Sequence, residues 1–231
     1  MKSAKKKSKT GPNKKIEDLK TVQYSFYKLY ITSVYINPQL LEIISEKATD
    51  KLTRPCSEVI SFPFVTELFG SDLIEEMEAN GEWSGAAHND KRITGGYENV
   101  PTDDIHMNQI GWEKEWKHAV FKYMKPLVEL EFTGYGTKCE SHMMFVVRYH
   151  KGGQTFLRPH HDASTWSLTV ALNKRNVDFV GGGTYFTRQK CLASPDNTGN
   201  GFIFPGRLTH QHAGQELKSG RRYIIVSFMD P

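Results

Sequence analysis

Two short segments hold the side chains whose types and spacing suit chemistry: Arg158-Pro159-His160-His161-Asp162 and Leu208-Thr209-His210-Gln211-His212, with Arg221-Arg222 following the second. In an extended chain, residues two apart share a face, so His160 and Asp162 can hold one ion between them while His161 faces away. Imidazole with carboxylate suits Fe(II), Mn(II) or Zn(II) rather than calcium. A third ligand from another strand would complete a facial two-His, one-carboxylate set with open positions, as in non-haem iron oxygenases. His210 and His212 are both candidates, and spacing does not choose between them. A 2-oxo acid would fill two open positions and O2 the third. The far carboxylate of that acid needs a cation, and Arg is suited to paired carboxylate contacts. Arg222, ten residues after His212 and just past a turn at Gly220, is placed for this role, while Arg221 would face the other way.

Each feature alone has an ordinary reading: a chance His-x-Asp, a surface histidine pair, half of a salt bridge. Their order along β-patterned sequence favours the metal. Asp104-Ile105-His106 repeats the carboxylate–histidine spacing, but has no matching third ligand or downstream Arg. It reads as structural or as part of a substrate loop. The leftover His161 and His210 read as solvated histidines, with a second metal site or a subunit contact as the alternative.

The elements that must position these groups change character at about residue 133. Val22 to Ile36 is aromatic and β-branched and suggests strand or packed irregular chain. Asn37-Pro38 starts a helix, with Asn as N-cap and Pro at its first position; Leu40, Leu41, Ile43 and Ile44 are its buried stripe, and Thr53-Arg54-Pro55 ends the unit. Val59 to Phe64 suggests an edge strand, because Pro63 cannot donate inside a sheet. Ser71-Asp72 is expected to cap a helix carrying Leu73, Ile74 and Met77 and closed by Gly81. Residues 84 to 109 form a long polar loop with Gly95-Gly96 and Pro101, suited to shaping a substrate entrance. Trp112, Trp116, Val120 and Met124 recur at helical spacing over Gly111 to Lys125, and Pro126 is expected to stop that run. Both tryptophans read as core.

Beyond Thr133 the period becomes two: Met143, Phe145 and Val147, then Trp166, Leu168, Val170 and Leu172, alternate with their neighbours. Thr184 to Phe186, Gly201 to Phe204 and Tyr223 to Phe228 follow between Gly, Pro or Asn clusters. Many short strands spaced this way indicate an antiparallel sandwich or barrel. The fold class is α+β, with helices first and packed on a C-terminal β-sandwich.

At 231 residues the chain fits a single domain with ample core. Its net charge of +4 is a property of one end. Residues 1–20 hold eight of the 30 basic residues and two of the 26 acids, leaving 22 against 24 in the rest. Residues 1–20 therefore read as a basic disordered tail or tag, residues 21–231 as the domain, and nucleic acid is not an expected partner. No apolar run approaches the roughly 20 residues that span a bilayer, and the Lys-rich start does not read as a signal peptide. Cys56, Cys139 and Cys191 are too widely spaced for a zinc ribbon. They permit one disulfide with a spare thiol.

Arg158-Pro159-His160-His161-Asp162-Ala163-Ser164-Thr165, Val180-Gly181-Gly182-Gly183, Pro205 to His212, Gly95 to Gly111 and the closing Val226-Ser227-Phe228-Met229-Asp230-Pro231 resemble the C-terminal domain of procollagen lysyl hydroxylases, iron(II)- and 2-oxoglutarate-dependent oxygenases with a double-stranded β-helix (jelly-roll) fold. The resemblance covers about residues 55 to 231, with departures at Lys151 to Gln154 and Trp166. It implies a jelly-roll core at about 133–231, iron on His160, Asp162 and His212, and Arg222 as the catalytic anchor of 2-oxoglutarate. Tyr149 would sit beside that cosubstrate and donate to its carboxylate. It further implies hydroxylation of Lys in collagen-like Gly-X-Lys sequences to 5-hydroxylysine, ascorbate to keep iron reduced, the endoplasmic reticulum lumen, and a homodimer. Leu208, apolar in a polar turn, is the guessed dimer contact. The family's glycosyltransferase-type domains have no counterpart here, so the chain is expected to be one domain of a longer protein. The alternatives are a prolyl hydroxylase of the same superfamily and a non-catalytic collagen-binding jelly roll.

Overall fold

A computed structural model describes residues 34–89, 91–92, 99–134, 139–195 and 197–231. The basic tail, most of the aromatic stretch before Ile36, and Gly95-Gly96 lie outside them. Three helices, α1 (Pro38–Glu46), α2 (Glu67–Asn80) and α3 (Glu113–Glu131), alternate with the first three strands instead of preceding them all. The strands are β1 (Thr53–Cys56), β2 (Val59–Pro63), β3 (Asp104–His106), β4 (Glu140–His150), β5 (Leu157–His160), β6 (Trp166–Ala171), β7 (Phe179–Gly181), β8 (Thr184–Phe186), β9 (Cys191–Ala193), β10 (Asn200–Pro205), β11 (His212–Gly214) and β12 (Leu217–Asp230). They build an antiparallel sandwich. The major sheet runs β1-β2-β10-β6-β12-β4-β3, with β7 on the start of β12, and the minor sheet runs β5-β11-β8-β9.

The period-two pattern decides what each face of the major sheet does. Met144 and Val146 of β4, Leu168 and Val170 of β6, and Tyr223 and Ile225 of β12 face the helices, in one core with Leu40, Met77, Trp116 and Val120. Phe145, Val147, Tyr149 and Ile224 point the opposite way, into the sandwich. Phe202 and Phe204 of β10 meet Phe186 of β8 and close the two sheets together. Arg222 shares the inward face with Ile224, and Arg221 is exposed, as the alternation requires. A Cys56–Cys191 disulfide ties β1 to β9, and Cys139 is a free, buried thiol.

Asn37 caps α1 as expected, its side chain accepting from the Gln39 amide at 3.0 Å; Leu41 of the expected buried stripe is exposed. Several other boundaries differ from the sequence reading. The second helix starts at Glu67, with Thr66 as its cap, and Ser71-Asp72 lie inside it. The earlier start buries Phe69, whose ring stacks on Trp116 at 5.6 Å. Pro126 lies within α3 instead of ending it. Burial of Leu127 and Val128 in the core outweighs the one backbone hydrogen bond that proline cannot make. Thr53 to Cys56 is strand, and this β1, not β2, is the sheet edge; β2 pairs on both sides, and Pro63 closes it. The long polar loop contains β3, paired to β4.

Candidate metal centre

His160 ends β5 and His212 begins β11, and the two are register partners on adjacent strands. Asp162 lies two residues beyond β5, its amide donating to the Gly206 carbonyl at 3.1 Å. This brings His160 Nε2 to 3.4 Å and His212 Nε2 to 3.6 Å from the same oxygen, Asp162 Oδ1. The ligand atoms of all three lie within 4.8 Å of one another. Each imidazole has its Nδ1 against a backbone carbonyl, Arg158 at 2.8 Å and His210 at 2.9 Å. A carbonyl only accepts, so Nδ1 carries the proton and Nε2 turns its lone pair inward, the tautomer a metal requires. Burial opposes ionisation of Asp162, but in the metal-free protein the His212 and His160 rings, when charged, and the Ser167 hydroxyl outweigh it and hold its carboxyl below the usual range.

The two downstream histidines have different surroundings. His210 is fully buried against Phe186 and Phe204, and both ring nitrogens are used, by the Thr209 hydroxyl at 2.9 Å and the Ser57 carbonyl at 3.0 Å. It is neither solvated nor free to bind an ion. His161 is exposed at the cavity rim, so the second metal site suggested for this pair does not form. His160, Asp162 and His212 are the only metal-competent group of three among the described residues.

The cluster opens into a cavity of about 710 Å³, within the usual range for a small-molecule site. Arg222 and Tyr149 line its floor, and Thr169 and Thr184 its walls. Arg222 is 4 % exposed, its guanidinium 5.3 Å from the centre of the Tyr149 ring. Among the described residues no carboxylate pairs with it and no oxygen accepts from it. Burial pushes its pKa down, against the opposing effect of Tyr149. A buried, uncompensated guanidinium is costly, and an anion entering this cavity would offset that cost. Gly182 makes room: with φ +64°, a Cβ there would sit 3.0 Å from Arg222 Cδ. Burial raises the Tyr149 hydroxyl pKa, which keeps it a neutral donor.

Asp104 and His106 do not join the cluster. Asp104 is buried and takes hydrogen bonds from Ser84, Thr102 and Arg92. His106 stacks on Phe145 at the mouth. A larger open cleft of about 990 Å³ lies alongside, sharing Val100 and Leu157; it contains none of the three clustered ligands. Sequence reasoning passed over Ser167, Thr169, Thr184 and Gly182. The inward alternation of β6 was the available signal for the first two.

An antiparallel double-stranded β-helix with an inward His-x-Asp and distant His, above a lone buried arginine, is the architecture of the 2-oxoglutarate and iron(II) oxygenases. The solved structures share this fold. A viral collagen prolyl hydroxylase from Paramecium bursaria Chlorella virus-1 matches at TM-score 0.55 and 18% identity, over 75% of this chain and 95% of its own. A Pseudomonas putida prolyl-4-hydroxylase matches at 0.53 and 16%, over 84% and 100%. No family model matches the chain. Curated relatives are far nearer in sequence: the multifunctional procollagen lysine hydroxylase and glycosyltransferase of Caenorhabditis elegans is 48% identical over 85% of this chain, and human procollagen-lysine,2-oxoglutarate 5-dioxygenase 2 is 47% identical over 85%. This chain belongs to the procollagen lysyl hydroxylase family. The chain spans only 27% and 26% of those two relatives' lengths.

Proposed function

We propose that this domain hydroxylates lysyl side chains in collagen-like Gly-X-Lys polypeptides, using Fe(II), 2-oxoglutarate and O2, to give 5-hydroxylysine, succinate and CO2. The observation that carries the reading is the buried Arg222, without an acidic partner among the described residues, on the floor of the cavity that His160, Asp162 and His212 face. His160, Asp162 and His212 would hold the iron, and their donor set suits it. Arg222 would receive the distal carboxylate of 2-oxoglutarate, with the Tyr149 hydroxyl as a second donor. Bound iron supplies the activation of O2 coupled to oxidative decarboxylation of the oxo acid. The chain's own work is placement: two strands and one loop present the ligands, the Nδ1 contacts fix both rings, and the enclosed floor excludes water from the anion.

Lysine rather than proline as the substrate rests on relatives named for procollagen lysine and 42–51% identical to this chain. The prolyl hydroxylases match in fold alone. A collagen-binding jelly roll with a structural metal is disfavoured, because a staple does not need an anion anchor. We assign ascorbate as the reductant that keeps iron in the ferrous state. The Cys56–Cys191 disulfide favours an oxidising compartment such as the endoplasmic reticulum lumen. No described helix is long and apolar enough to cross a membrane. A homodimer contact at Leu208 rests on its 91 % exposure in a turn; unchanged sedimentation of Leu208→Asp removes it.

The test is mass spectrometry of a collagen-like peptide after incubation with the protein, iron, 2-oxoglutarate and ascorbate. One added oxygen on Lys is expected. Oxygen on Pro selects the prolyl reading, and an unchanged peptide selects the binding module.

A further inference from the structure

Beneath Asp162 lies a pair of serines whose side chains face no solvent. Ser164 and Ser167 are both fully buried. Ser167 Oγ donates to Asp162 Oδ2 at 2.5 Å, and the Ser164 and Ser167 hydroxyls are 3.0 Å apart. Their direction follows from valence. An ionised carboxylate only accepts, so the single Ser167 proton goes to Oδ2, and Ser164 must donate to Ser167. The two hydroxyls form a chain in which each bond polarises the next. Gly206 gives the pair its space: a Cβ there would stand 2.5 Å from the Ser164 carbonyl and 2.7 Å from each serine Oγ. Backbone bonds from Asp162 N to Gly206 O and from Gly206 N to Thr165 O lock the same glycine across the loop.

The two carboxylate oxygens are thereby given different tasks. Oδ2 is taken by Ser167, whereas Oδ1 is the oxygen that both histidine Nε2 atoms approach. Resting on the metal-centre reading above, we infer that Ser167, set by Ser164, is a positioning residue that restricts Asp162 to one metal-binding oxygen and so keeps a coordination position open for the oxo acid or O2. Without the Ser167 hydroxyl, Oδ2 is free to swing toward the ion, and the carboxylate can both lose its orientation and occupy a second position. Groups that orient a metal ligand in this way typically contribute about 10- to 100-fold in affinity or activity.

The experiment measures Co(II) affinity and the visible spectrum of the Co(II)-loaded protein, whose intensity reports coordination number, for wild type, Ser167→Ala, Ser167→Thr and Ser164→Ala. Expected is a loss of about 10- to 100-fold in affinity for Ser167→Ala, with an altered spectrum. Ser167→Thr, which keeps the hydroxyl, should restore both, and Ser164→Ala should shift both in the same direction by less. Wild-type affinity and spectrum in a folded Ser167→Ala overturn the inference while leaving the metal centre standing. If Ser167→Ala does not fold, unchanged affinity and spectrum in Ser164→Ala overturn it instead. A wild-type protein that binds no metal overturns the metal-centre reading itself.

Discussion

Replacing Arg222 by Met separates a cosubstrate anchor from a structural ion pair, because the two make opposite predictions for stability. In the ligand-free protein Arg222 is 4 % exposed with no acidic partner among the described residues, the Tyr149 ring lies 5.3 Å from its guanidinium, and the like charge of Arg175 adds to the burden. Such a ring offsets about 2 kcal/mol, against a burial cost of several kcal/mol for an unpaired ion. Arg222→Met exchanges that burden for a flexible apolar side chain of similar length, so the thermal midpoint without ligand should stay level or rise. Cosubstrate binding should respond in the other direction. Losing one partner of a buried charge pair costs about 2–5 kcal/mol, which corresponds to roughly 30- to 4,000-fold in the 2-oxoglutarate dissociation constant. The assay is thermal unfolding of the metal-loaded protein with and without 2-oxoglutarate. At about 100 times its Kd a ligand stabilises by about 2.7 kcal/mol. For a domain of this size that raises the wild-type midpoint by roughly 5–11 °C. The shift should fall to about a third or less in Arg222→Met while metal binding persists. A variant that keeps the shift, or one that is destabilised by more than about 2 kcal/mol without ligand, refutes the reasoning, since a loss of that size marks a broken buried pair.

Burial pushes the Cys139 thiol up to about 12, so the folded protein at pH 8 should resist alkylation at Cys139 and yield to it only on unfolding; rapid native labelling counts against its place in the core. Glu78 is opposed by burial, but the Tyr223 hydroxyl and Arg148 outweigh this and lower its pKa below 4.5. A lowered carboxylate adds stability that is present above its unfolded pKa and lost as pH falls through the folded value. Glu78→Gln should therefore be less stable than wild type in urea above about pH 5, with the gap closing as pH falls below 4.5; a gap independent of pH contradicts the linkage. Gly182→Ala should weaken 2-oxoglutarate binding in a direct titration, because its Cβ meets Arg222 Cδ at 3.0 Å from a left-handed backbone; unchanged affinity would show that the Arg222 side chain has room to move.

The parts of the site set by local periodicity were legible in the sequence. Alternation along β12 told Arg222 from Arg221, and the two-residue spacing of His160 and Asp162 brought them into one cluster. What resisted reading depends on contacts between distant residues. His210 is excluded as a ligand by the Ser57 carbonyl, 153 positions away, and spacing has no access to that partner. Thr66 displaced Ser71 as a cap because Phe69 must reach Trp116, and Pro126 stayed helical because Leu127 and Val128 are held in the core. The choice of Cys56 with Cys191 follows from β1 reaching β9 at the sandwich edge. Alternation put Ser167 on the inward face of β6, but its role shows only with Asp162 and Ser164, which the loop after β5 brings against it.

The most direct test of the account is the coupling of two products in one reaction. Wild-type protein with Fe(II), 2-oxoglutarate, ascorbate and a Gly-X-Lys peptide under isotopically labelled O2 should form hydroxylysine and succinate in equal amounts, with the label in the lysine hydroxyl. Asp162→Ala should form neither. Succinate without hydroxylysine, label on proline, or full turnover in Asp162→Ala would contradict the assignment of this pocket to lysyl hydroxylation.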